Sequence, residues 1–450
     1  MEKALKHTKF NFTLLFALIT ILSCTKSELA PNDLVTADAT ASNSGKAMRD
    51  QADVAHDWYE LQISILLERN SALNGLHYAY IGVGLYESVR HGIRGGQSFY
   101  GKIRTMPMMP EPEKNQGYNY VICANAAMAG MTRSFFGGLT DANKKAIDDL
   151  EAKYNMQESP DMNSAVFRRS QAYGRSIAQA VHNWFKTDDL NSSNAGYVPP
   201  VGPGLWMPTP PANVAIPVNP YWGKATTFYA GLANTISPAF PLAYSEDPAS
   251  NYYKAAKEVF DVSKTLTQDQ KNTALFWVDQ GNGIGLTPAG HDFNILAQCM
   301  EQKGVSLDIA AEAYAKAGIA ERDGGIVVFR SKYAYNMVRP ISYIRKLMDA
   351  NWNAFIPTPP HPEYPAAHTG VTGSALLAAA RVLGEDVPVT DRSYEFRGLP
   401  VKTFPSLLDA VKDAGISRLY GGIHYTISID EGTILAKKIG TYIGDIKLRD

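Results

Sequence analysis

The sequence predicts an all-α protein built as one large helical bundle, and three observations carry that prediction. Apolar residues recur at helical spacing in most segments after residue 50, no stretch alternates convincingly as a strand would, and the links between helical segments are short. With 450 residues, 45% hydrophobic and 19% charged, the chain has a globular composition and enough material for a sizeable core. A formal net charge of -1 and the lack of a basic cluster exclude a surface that tracks phosphates, so no nucleic-acid partner is expected. No internal repeat of solenoid length is present.

The first element is not part of the bundle. "MEKALKHTKF" carries Lys3, Lys6 and Lys9, "NFTLLFALITILS" is an apolar run too short to span a bilayer, and Cys24 follows Ser23 directly. This order resembles a bacterial lipoprotein signal, with residues 1–23 as signal peptide and Cys24 as the lipidated first residue. An ordinary secretory peptide with a chance cysteine is the plainer alternative. Residues 24–50, rich in Ser, Thr, Asn, Asp and Ala, then read as a flexible tether. The expectation is an exported protein of the cell envelope, touching the membrane only through its lipid. Cys123 and Cys299 remain, as a disulfide or as two buried thiols.

Residues 51–450 form the folded domain. In its N-terminal half, 51–190, "AHDWYELQISILLERN", "LHYAYIGVGLYESVRHG", "NYVICANAAMAGMTRSFFGG", "ANKKAIDDLEAKYNM" and "FRRSQAYGRSIAQAVHNWFKT" each read as a helix. A Pro- and Gly-rich stretch over 191–225 must be extended loop, and its Trp206, Tyr221 and Trp222 suggest that it packs over the surface. Over 250–450 helices resume with "SNYYKAAKEVFDVSKTL" and "TQDQKNTALFWVDQGNG", from Val305 to Ala320, and in "DEGTILAKKIGTYIGDIKL", which closes the chain.

Three stretches of this second half carry chemistry. In "KYAYNMVRP", Lys332 and Arg339 are two helical turns apart, so on one helix they would point within about 20° of each other. Pro340 fits the first turn of a new helix and pushes Arg339 out of helical geometry, so the two cations are expected near a helix junction. In "HPEYPAAHTGVTGSALLAAARVLG", Pro362 and Pro365 stiffen the approach to His368, and the helix that follows opens with small residues and free N–H groups suited to an anion. In "GISRLYGGIHYTISIDEG", Gly421 and Gly422 separate Arg418 from His424, and a helix is expected near Asp430. Singly these are ordinary: a Lys and an Arg so spaced usually share a solvated face, and a lone histidine is usually structural. Together they gather three cations, two imidazoles and two helix starts, a set suited to a tetrahedral oxyanion.

In this order and spacing the stretches resemble the superfamily of vanadium-dependent haloperoxidases and type 2 phosphatidic acid phosphatases, from about residue 50 to the end. Lys332, Arg339 and Pro340 match its first motif, "PAAH" stands for its P-S-G-H, and Ser417, Arg418 and His424 match its third. The resemblance implies the helical bundle of the haloperoxidase and acid phosphatase type. It implies vanadate, or phosphate in a phosphatase, bound by Lys332, Arg339, Arg418 and the Ala367 backbone N–H. His424 would be the metal ligand or the phosphoryl-accepting nucleophile, and His368 the acid/base. Lys332 would also polarise bound peroxide. "LFWVDQGNGIGLTPAGH" resembles the haloperoxidase stretch whose aspartate buttresses the third-motif arginine, which assigns that role to Asp279. His361 falls where bromide-oxidising relatives carry a histidine, with a plain loop hydrogen bond as the alternative.

The departures from the motifs are specific. Ala366 replaces the motif serine, leaving Thr369 or Thr372 as candidates to supply the missing hydroxyl; Ala367 replaces glycine but keeps its N–H. Ser428 stands where an aspartate often follows the motif histidine, and Asp430 lies two further on. The long N-terminal half and the Pro-rich loop favour a haloperoxidase, acting on hydrogen peroxide and halide with a small organic acceptor. The alternatives are an acid phosphatase acting on phosphate esters through a phosphohistidine at His424, and an inactive member of the superfamily. A glycan-binding lipoprotein suits the Trp- and Tyr-rich composition but gives Lys332, Arg339 and His424 no role.

Overall fold

The computed structural model describes residues 52–68, 76–159, 162–279 and 285–450. The expected signal peptide, Cys24 and the tether lie outside the described residues, as do positions 280–284 of the stretch that carries Asp279. Among the described residues five α-helices occupy the first half: α1 (Asp53–Glu68), α2 (Leu76–Val89), α3 (Tyr120–Phe135), α4 (Asp141–Glu158) and α5 (Ser164–Phe185). Side chains close their starts as the sequence allows. Asn119 accepts from the Ile122 N–H to begin α3, and Thr140 accepts from Asn143 to begin α4.

The second half holds α6 (Asn251–Lys264), α7 (Gln268–Phe276), α8 (Pro288–Lys303), α9 (Leu307–Tyr335) and α10 (Pro340–Leu347). After these come a π-helical turn, His368–Thr372, then α11 (Gly373–Leu383), α12 (Leu407–Tyr420) and α13 (Thr426–Gly444). Thr267 and Gln270 form a reciprocal capping box on α7; Thr287 caps α8, whose first turn carries Pro288 and whose end is the left-handed Gly304. One short antiparallel pair, β1 (Val389–Asp391) with β2 (Lys402–Phe404), was not expected from the sequence. At three residues each, these strands are too short to show an alternating pattern.

Helix α9 is the axis of the bundle. Every residue from Ala310 to Phe329 is buried, because α2, α11 and α13 all pack against it. Small residues allow the closest approach: a Cβ on Gly318 would come within 2.5 Å of the Tyr78 carbonyl, and one on Gly82 within 2.7 Å of the Tyr314 carbonyl. The charges on α9 are matched locally. Lys316 pairs with Glu312, Arg322 with Asp188, and Asp323 accepts the N–H groups of Phe228 and Tyr229. The helix runs well past Ala320, where the sequence reading ended it; a buried helix surrounded on all sides shows no amphipathic boundary.

The Pro-rich loop is packed, as its aromatic residues suggested. Trp206 is buried, its backbone N–H donates to the Asn336 carbonyl, and the Val338 N–H donates back to the Gly204 carbonyl. The loop therefore holds the link between α9 and α10 in place. Cys123 and Cys299 are both free and buried. All described residues belong to one compact unit, and among them no helix is long and apolar enough to cross a membrane.

Candidate functional site

Helix ends and the links between them build the site. Lys332 lies in the last turn of α9, which Asn336 closes in the left-handed conformation; Arg339 is the N-cap of α10, with Pro340 in the first turn. The two cations are therefore on different elements. They meet because the chain turns at Asn336, at the helix junction that Pro340 announces. Arg339 is fully buried. Its Nε donates to the His361 carbonyl (2.8 Å) and Nη1 to the Ile423 carbonyl (2.9 Å). Nη1 also faces His424 Nε2 at 3.1 Å, and Nη2 faces His361 Nδ1 at 3.1 Å.

Lys332 departs from its expected role. Its Nζ donates to the carbonyls of Pro362, Glu363 and Pro365 at 2.9, 2.9 and 2.6 Å, which uses all three of its protons. Direct contact with an oxyanion or peroxide would require one of these bonds to break. As it stands, Lys332 shapes the 362–365 loop and contributes its charge through space.

Glu363, a residue the motif reading passed over, orients His424. Its Oε1 lies 2.8 Å from His424 Nδ1 and accepts the Tyr425 N–H. A carboxylate at Nδ1 places the ring proton there and leaves the lone pair on Nε2, as an axial ligand or a nucleophile requires. Glu363 thus does the work of the aspartate absent from position 428. The signal was available: it is the only acidic residue between His361 and His368.

His368 opens the π-helical turn, and its side chain is 17% exposed, more open than its buried neighbours. Its Nε2 lies 3.5 Å from Asp279 Oδ2. The Ala366 N–H donates to the Ser428 carbonyl and Gly370 N–H to Ala366, so the N–H groups of Ala367, His368 and Thr369 have no backbone partner among the described residues. Neither threonine replaces the missing serine hydroxyl. Thr369 Oγ1 points towards α13, bonding the carbonyls of Ala366 and Ile429, and the Thr372 hydroxyl lies beside Asp292.

Arg418, in the last turn of α12, donates from Nε to Ser417 Oγ (2.9 Å) and from Nη2 to the Trp277 carbonyl (2.8 Å). Among the described residues its Nη1 has no hydrogen-bond partner. Asp279 does not ion-pair with it, a correction to the expected buttress: the Arg418 edge facing that segment is taken by backbone carbonyls. Asp279 instead accepts from His291 (3.0 Å) and from the Tyr394 hydroxyl, and it reaches Arg418 only through its field. His361 is buried against Phe329, with Nδ1 shared between Arg339 and the Pro362 carbonyl.

The site is a buried excess of positive charge. Burial pulls Lys332 well below the usual lysine range and Arg339 and Arg418 down to about 10. His361 and His424 are held neutral, by burial first and then by the neighbouring cations. Glu363 is pushed up to about 7, again by burial first, against the pull of Arg339 and Lys332. A bound anion would offset the cost of holding these cations out of water. Among the described residues the donor set fits vanadate: the His424 Nε2 lone pair, which now faces Arg339 Nη1, the remaining Arg339 Nη2 proton, Arg418 Nη1 and the N–H groups of Ala367, His368 and Thr369, which have no partner there. The sequence reading brought together Lys332, Arg339, His361, Arg418 and His424 at one centre, with His368 and Asp279 beside it. It missed Glu363, His291, Asp391 and Tyr394.

Comparison with known proteins agrees with this architecture. Residues 312–447 match the protein-family model described as the VCPO second helical-bundle domain. A bacterial vanadium-dependent iodoperoxidase superposes with a TM-score of 0.77 and 26% identity, over 89% of this chain and 98% of that one. A bacterial vanadium-dependent chloroperoxidase superposes in its apo form with a TM-score of 0.62 and 16% identity, and in its holo form with 0.62 and 15%. Each covers 83% of this chain and 92% of that one. Sequence comparison with curated proteins gives no match. The fold is the helical bundle of the vanadium haloperoxidases.

Proposed function

We propose that this chain is a vanadate-dependent haloperoxidase, oxidising halide with hydrogen peroxide and passing the oxidised halogen to a small organic acceptor. One observation carries the reading: a neutral His424, its Nε2 lone pair set by Glu363, sits among the buried cations Lys332, Arg339 and Arg418, which outnumber the nearby carboxylates Glu363 and Asp279. Vanadate bound there would act as a Lewis acid that activates peroxide towards halide without changing oxidation state. Around it, His424 Nε2 would hold the metal centre, while Arg339, Arg418 and the Ala367–Thr369 N–H groups would take its oxygens. His368, the more open imidazole, would move protons to and from the bound oxygens. The likeness to an iodoperoxidase makes iodide the first halide to assay.

The test uses the whole chain, purified metal-free and then loaded with orthovanadate. Iodide and bromide oxidation with peroxide are measured beside hydrolysis of an aromatic phosphate without vanadate, each with His424→Ala. Vanadate-dependent halide oxidation that His424→Ala abolishes is expected. Phosphate-ester hydrolysis inhibited by vanadate and lost in the same variant would replace the proposal with a phosphohistidine phosphatase. Absence of both activities would leave an anion-binding protein without this chemistry.

A further inference from the structure

His291 has no part in the proposed reaction, yet both its ring nitrogens are tied. It lies in the first turn of α8 and is fully buried. Nδ1 is 3.0 Å from Asp279 Oδ1, and Nε2 is 3.0 Å from Asp391 Oδ2. A neutral imidazole has one N–H, so one of these carboxylates would face a lone pair; with both carboxyls held below the usual range and hence ionised, only the imidazolium satisfies both. Trp277, Tyr394 and Phe276 surround the ring at centroid distances of 4.7, 4.9 and 5.4 Å, which keeps water away and strengthens both ion pairs.

The far end of this chain of contacts is fixed and the near end faces the site. Asp391 accepts the Ser393 N–H at 2.8 Å and belongs to β1, which β2 holds in register. Asp279 Oδ1 accepts from both His291 and Tyr394, leaving Oδ2 facing His368 Nε2 at 3.5 Å. Two carboxylates and one imidazolium sum to a single negative charge beside His368. Without the imidazolium the sum would be two.

We propose that His291 is a positioning residue, a permanently protonated bridge that clamps Asp279 to the frame of α8 and β1 and thereby orients His368 and limits its hold on a proton. The proposal rests on the reading of His368 as the site's acid/base only for its effect on turnover. Burial opposes the charge on His291, but Asp279 and then Asp391 outweigh it and raise the imidazole to about 10. The other groups facing His368 are Arg418 from α12 and His361 from the loop before the π-helical turn; those facing His291 are Asp279, Asp391, Tyr394 and Asp292.

The experiment is NMR on the whole chain labelled with ¹⁵N-histidine, read beside the pH profile of halide oxidation. In the wild type His291 is expected to carry a proton on both nitrogens throughout the neutral range. His291→Gln should raise the pH at which His368 titrates by about one unit, with the acid limb of activity moving in step. Asp391→Asn should lower the pH at which His291 gives up its second proton. A neutral His291 in the wild type overturns the proposal, as does an unchanged His368 titration in a folded His291→Gln. If His291→Gln does not fold, the wild-type spectrum and Asp391→Asn still decide. The expected spectra in a chain without peroxidase activity would uphold the role of His291 and sink only the functional reading.

Discussion

Glu363 is held in place from both sides: its carbonyl receives Lys332 and its carboxylate receives His424 and the Tyr425 N–H. Removing the carboxylate frees the His424 ring to rotate and to change tautomer, so the lone pair at Nε2 is no longer guaranteed. Glu363→Ala should weaken orthovanadate binding by roughly 10- to 100-fold, the usual effect of losing the group that orients a metal-ligating histidine. Calorimetric titration would show this, and an affinity equal to the wild type would remove Glu363 from the site. The motif residues were legible because a fixed spacing brings them to notice. Glu363 was not, because its role depends on where the stiff 362–365 loop turns its side chain relative to a histidine 61 positions away.

Between elements, the sensitive contact is that of α13 with the π-helical turn. A Cβ at Gly432 would come 2.1 Å from Thr369 Oγ1 and 2.6 Å from the Ala366 carbonyl, so glycine is what lets α13 lie against the turn that presents His368. Gly432→Ala should cost about 1–3 kcal/mol by overpacking. It should also lower halide oxidation more than its loss of stability alone explains, because the turn must shift. Denaturant melts read the first effect and steady-state kinetics at saturating vanadate the second; unchanged values of both would show that the contact is slack. The start of α10 was legible here from Pro340. The π-helical turn was not, since "HTGVT" reads as an ordinary helix start and the wider turn comes from what packs on both of its faces.

Over the whole molecule, the core carries acids that are not matched by partners. Both carboxyl oxygens of Asp292 and one of Glu321 have no hydrogen-bond partner among the described residues. Burial pushes Asp292 well above the usual carboxylate range and Glu321 up to about 8. A folded state that keeps a proton the unfolded chain has released loses stability as pH rises from the unfolded pKa, near 4, to the folded one. Stability should therefore fall between about pH 5 and pH 8, by on the order of 1 kcal/mol per pH unit for each retained proton. Glu321→Gln should flatten that slope. Denaturant unfolding over this range would check it, and identical slopes in the two proteins would mean that Glu321 is not protonated in the core.

By itself the sequence determined the helical class, the packed Pro-rich loop and the motif residues of the candidate site. These follow from periodicity, composition and spacing, which act over a few turns of chain. Only the tertiary structure decided that Lys332 spends its protons on the 362–365 loop, and that Asp279 turns to His291 instead of Arg418. The same is true of the role of Glu363 beside His424 and of the pairing of His291 with Asp391 on a strand no pattern announced. Each depends on which partner is nearest once distant segments are packed, and in a buried, weakly screened interior the nearest partner takes the bond.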